Sequence, residues 1–78
     1  MADRYMIVYY HQQPDGLYTE ITEFKNNLKN KTKSTASVIL DFKKQRVLKN
    51  SLNPEADFNS MIEMYKKVLG DQLTPYLP

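Results

Sequence analysis

Apolar positions recur along this chain with two periods. Near the N-terminus, Tyr5-Met6-Ile7-Val8-Tyr9-Tyr10 runs without a polar break. Side chains alternate across a strand, so Tyr5, Ile7 and Tyr9 share one face and Met6, Val8 and Tyr10 the other. Arg4 to Gln12 therefore predicts a first strand with bulk on both sides. Pro14-Asp15-Gly16 predicts a turn: proline presets φ, aspartate bonds back to the local backbone and glycine accepts a positive φ. Leu17 to Thr22 resumes the alternation and completes an antiparallel hairpin. The period then changes. Ile21, Phe24 and Leu28 fall at helical spacing, with Thr22 and Glu23 suited to a helix start, which predicts a short helix over Glu23–Lys31. Lys31 to Thr35 is polar and predicts a loop.

The strand period returns at Ala36–Phe42, with Ala36, Val38, Leu40 and Phe42 opposite Ser37, Ile39 and Asp41. Lys43-Lys44-Gln45 reads as a turn without glycine, and Arg46–Leu52 as the returning strand. The last element is an amphipathic helix. Asn53 is placed to cap it and Pro54 to occupy its first position. Phe58, Met61, Ile62, Tyr65, Val68 and Leu69 form the apolar stripe, and Gly70 ends the helix. The element order is β-β-α-β-β-α. The simplest packing is an α+β fold, a four-stranded antiparallel sheet of two hairpins with both helices on one face. Strand order does not follow from the pattern.

Residues 1–78 read as one domain, with 71–78 as a C-terminal tail from which Leu73, Tyr76 and Leu77 can pack back. A chain this short buries about 60 % of its unfolded surface. Its stability should lie at about 4–12 kcal/mol. The absence of cysteine excludes disulfides and thiolate metal sites. No apolar run approaches a membrane span and no secretory signal is evident, so a cytoplasmic location is the default expectation. Asn30-Lys31-Thr32 matches a glycosylation sequon, which without a secretory route reads as chance.

Candidate chemistry is sparse. His11 is the only histidine available as a catalytic base; at a strand end, with Asp3 and Asp15 the nearest acids in sequence, it reads as a surface imidazole near a turn. No acid cluster has metal-ligand spacing, and Gly16 and Gly70 stand too far apart for a phosphate-cradling loop. The reading is therefore a non-catalytic protein with no cofactor and no metal. In its small size and its lysine- and asparagine-rich composition the chain resembles accessory proteins of phages and mobile elements, a likeness that implies no activity.

Two features point to binding. The first is the two-faced strand, which with its neighbours marks Tyr5, Met6, Val8, Tyr10 and Tyr18 as a protein interface, to a partner or to a second copy through edge pairing. The competing reading is a central strand covered on both sides within the monomer. The second feature is charge. Between Phe24 and Asn50, eight basic residues face the single acid Asp41, whereas from Pro54 onward acids outnumber bases. Lys25, Lys29, Lys31, Lys33, Lys43, Lys44 and Arg46 make nucleic acid the alternative partner, with exposed tyrosines to stack on unpaired bases. The expectation is a small binding module that works by protein–protein contact, with nucleic-acid binding as the alternative and no membrane partner.

Overall fold

A computed structural model describes residues 3–77. Strand β1, Tyr5–Gln12, pairs along its whole length with β2, Tyr18–Lys25. β3, Val38–Asp41, takes the other side of β1, and β4, Arg46–Asn50, pairs with β3. All three pairings are antiparallel, and the order across the sheet is β2-β1-β3-β4. Helix α1 spans Asn30–Thr35 and helix α2 spans Phe58–Leu69. The protein is thus an α+β fold built on one four-stranded antiparallel sheet.

Both hairpins form where the alternation predicts them. In the first turn the Gly16 N–H bonds to the Gln13 carbonyl at 2.9 Å, and the Leu17 N–H bonds to Asp15 Oδ1 at 3.0 Å. Gly16 sits at φ 91°, a value that side chains resist. The second turn has no glycine, and Gln45 itself adopts φ 52°. Its neighbour Asp41 holds the turn by accepting the N–H groups of Lys43 and Lys44 at 3.0 and 3.2 Å.

The structure corrects the region between the hairpins. The helix expected over Glu23–Lys31 does not form as such: β2 continues to Lys25, and α1 begins only at Asn30 and runs to Thr35, where a loop was expected. Register explains the change: Phe24 pairs with Met6 and Thr22 with Val8, so the sheet claims residues that the Ile21, Phe24, Leu28 spacing assigns to a helix. Phe24 and Leu28 consequently pack on opposite sides of the sheet.

The helical segments also lie on opposite faces rather than on one. α2 buries Met61, Ile62 and Tyr65 against Met6, Val8, Val38 and Leu40. The connection containing α1 covers the reverse side, where Leu28 and Ala36 meet Ile7 and Ile39. Lys49, paired with Ile39, donates from Nζ to the carbonyls of Lys33 and Ser34 at 2.8 and 3.4 Å and so caps the C-terminus of α1. Met6, Ile7 and Val8 are consequently 0 % exposed within a single copy. Packing on both faces follows from the uninterrupted apolar run, since each face of β1 needs its own cover.

α2 begins later than the Asn53-Pro54 pair predicts. Asp57 caps it, accepting the Ser60 N–H at 2.8 Å, and that bond holds the Asp57 carboxyl below its usual range. Asn53 belongs to a preceding turn, its N–H bonded to Asn50 Oδ1 at 2.9 Å. Of the predicted stripe, Phe58 and Leu69 pack at the core margin, while Val68, like the neighbouring Met64, stays exposed. The tail is ordered into two 3-10 turns, Gly70–Gln72 and Thr74–Tyr76. They bury Leu73 fully and stack Tyr76 on Phe24 with ring centroids 4.2 Å apart.

Tyr65 is the largest fully buried side chain. Burial pushes its hydroxyl above the ordinary tyrosine value, and although Tyr10 lies close, no partner among the described residues reaches full hydrogen-bond geometry. Removing an unpaired buried hydroxyl relieves a desolvation cost, so Tyr65→Phe should stabilise the fold by about 1 kcal/mol. The melting temperature should then rise by about 4–8 °C in a domain of this size. A fall on thermal denaturation would mean instead that the hydroxyl anchors Tyr10.

Candidate functional site: a cationic groove

A groove of about 470 Å³ opens on the α1 side of the sheet, over β3 and β4. Its apolar lining is Tyr5, Leu28, Ile39 and Leu48; Arg4, Lys33, Lys44, Arg46 and Lys49 line it with charge. Three separate stretches of chain supply these cations: the start of β1, the end of α1 and the β3–β4 hairpin.

A β-bulge makes the convergence possible. Ile39 pairs with Lys49 and Leu40 with Val47, so Leu48 is the extra residue. Strict alternation would separate Leu48 from Lys49. The bulge lets Arg46, Leu48 and Lys49 all line the groove while Val47 packs on the α2 side.

Asp41 organises one end of the groove. Arg4 donates from Nε and Nη2 to its two carboxylate oxygens at 3.1 and 2.8 Å, a bidentate pair. The Arg4 bonds, joined by the Lys44 and Lys43 amides, hold the Asp41 carboxyl below the usual carboxylate range against the opposing effect of its burial. The Arg4 guanidinium carbon also lies 4.9 Å from the centre of the Tyr5 ring, within cation–π range. Asp41 offsets Arg4. No carboxylate among the described residues lies within ion-pair distance of Lys33, Lys44, Arg46 or Lys49. The groove is therefore an anion-attracting surface with an apolar floor.

Of the seven basic residues singled out from the sequence, Lys33, Lys44 and Arg46 meet here. Lys25 lies at the end of β2 with Glu23 Oε2 3.9 Å from its Nζ, and Lys29, Lys31 and Lys43 are exposed outside the groove. Arg4 and Lys49 were missed. Arg4 precedes β1 and its place depends on the Tyr5–Asp41 register; Lys49 depends on the bulge.

The aromatic strand fares differently as a contact surface. Met6 and Val8 are core residues and are corrected from the interface set, since α2 and the 3-10 turns cover that face. Tyr10 is half-buried at the margin of the same core, and Tyr5 is half-buried under Arg4. Tyr18 alone of the five stands largely free, on β2. His11 occupies the exposed end of β1, opposite Thr19.

Among the described residues, no group of three or more His, Cys, Asp or Glu could hold a metal, and no helix is long and apolar enough to cross a membrane. Compared with known proteins, the chain matches no family model, no curated protein and no solved structure.

Proposed function

We propose that this protein is a non-catalytic nucleic-acid-binding module that holds a short single-stranded segment in the groove over β3 and β4. The observation that carries the reading is the convergence on one apolar-floored groove of Lys33, Lys44, Arg46 and Lys49, none of them within ion-pair distance of a carboxylate among the described residues, while the groove's Asp41 is taken up by Arg4. Phosphates suit the lysine and arginine margin, and an unpaired base suits the floor of Tyr5, Leu28 and Leu48. Duplex recognition by base edges would call for more arginine than the chain carries. With Met6 and Val8 enclosed, a protein–protein contact through β1 would rest on the half-buried Tyr5 and Tyr10, a smaller surface than the groove offers.

Fluorescence anisotropy with labelled single strands and duplexes across a salt series tests this. Single strands should bind more tightly than duplexes, with log K falling by about 0.7 per neutralised phosphate for each decade of salt. The triple variant Lys33→Gln/Lys44→Gln/Arg46→Gln should lose at least tenfold in affinity and flatten that slope. Lys29→Gln/Lys31→Gln/Lys43→Gln removes equal charge outside the groove and should bind nearly as the parent does. Equal loss in both triples, or no salt dependence in the parent, would defeat the reading.

A further inference from the structure

The two edges of the sheet are treated differently. β4 is 5 residues long, bulged and fringed by Arg46 and Lys49, features that discourage further pairing. β2 is 8 residues long, keeps an unbroken register with β1 and carries the exposed Tyr18 (66 %) and Ile21 (49 %). It contains neither proline nor glycine.

Its free hydrogen-bonding groups can be assigned. The Gln13 N–H bonds to the Leu17 carbonyl at 2.7 Å, and the register carries this phase along the hairpin. Residues 19, 21, 23 and 25 thus direct their N–H and C=O groups toward β1. Tyr18, Glu20, Thr22 and Phe24 direct theirs outward, beyond the sheet.

An antiparallel partner must present outward groups of matching phase. A second copy of β2 does so only when the two-fold axis passes through a residue rather than between two. Centring on Glu20 sets like charges face to face. Centring on Thr22 sets Ile21 against Glu23 and Glu20 against Phe24. Centring on Ile21 sets Ile21 against its own copy, Tyr18 against Phe24, Glu20 against Thr22 and Thr19 against Glu23. Of these three registers about the middle of the strand, that one alone opposes no like charges and matches apolar to apolar, and it keeps Tyr18–Phe24 paired, where an axis nearer either end would leave much of β2 unpaired.

We infer that two copies of this protein pair through β2, antiparallel about Ile21, into one eight-stranded sheet. The axis is then perpendicular to the sheet, so both grooves open on the same side. The inference does not depend on what the grooves bind.

The sequence contains no cysteine, which makes engineered cross-links unambiguous. Ile21 and its copy would form a non-hydrogen-bonded pair with Cα atoms about 4.5 Å apart, within disulfide reach. Under mild oxidation Ile21→Cys should give a covalent dimer, whereas Thr19→Cys, opposite Glu23, should not. Sedimentation velocity should show the parent as a dimer. Ile21→Lys, which sets two ammonium groups together at the axis, should be monomeric with the parent's circular dichroism. A parent that is monomeric at every concentration, an Ile21→Lys variant that stays dimeric, or equal cross-linking at positions 19 and 21 would each overturn the inference.

Discussion

Asp41→Ala is expected to cost about 3 kcal/mol of folding stability, near the lower bound for breaking a buried charge pair because Arg4 can turn to solvent. Set against a total of about 4–12 kcal/mol, that loss brings the domain close to unfolding at room temperature. One carboxylate joins three parts of the molecule: Arg4 ahead of β1, the end of β3, and the turn into β4. The turn depends on it most, because Gln45 keeps a positive φ without glycine's freedom. Urea denaturation of parent and variant measures the difference; a change within 0.5 kcal/mol, the scale of surface substitutions, would remove Asp41 from this role.

The same group sets an acid limb. Its folded pKa lies below the unfolded value of about 3.9, so its contribution is complete above that value and is lost as pH falls through the folded pKa. Asp41→Asn retains an oxygen for the turn amides but does not titrate. Stability of the parent should decline below about pH 4 more steeply than that of Asp41→Asn. Parallel curves would assign the acid sensitivity to other carboxyls.

Leu73→Ala should cost about 3 kcal/mol, a core-sized loss from a residue beyond the last α-helix. Leu73 is 0 % exposed and packs in the cluster formed by Met6, Val8, Leu40 and Tyr65. Its 3-10 turns also bring Tyr76 to Phe24 and to Phe42, at 4.2 and 5.4 Å between ring centroids, which closes one end of that core. Leu17→Ala, at a position 68 % exposed, is the matched control and should stay within about 0.5 kcal/mol of the parent. Similar urea midpoints for the two variants would show that the C-terminal turns contribute little.

The strands were legible because Tyr5–Tyr10 and Val38–Leu40 are short apolar runs rich in aromatic or β-branched residues and followed by turn signals, and the α2 stripe because its period is sustained. Ile21, Phe24 and Leu28 were ambiguous: their spacing fits a helix, while Thr22 and Phe24 fit a strand, and only the length of the partner β1 decides between them. Asp57 and Asn53 are both good caps, and Asp57 prevails because Asn53 is drawn into the turn around Asn50. The groove was legible only as an excess of charge. Its assembly rests on strand order and on one inserted residue in β4, and no local pattern encodes either.

Because Met6, Ile7 and Val8 support two layers at once, neither layer can be dismantled alone without wetting the ribbon beneath it. A half-assembled chain gains little over a disordered one. The domain should therefore melt in a single concerted step, with intermediates too costly to accumulate.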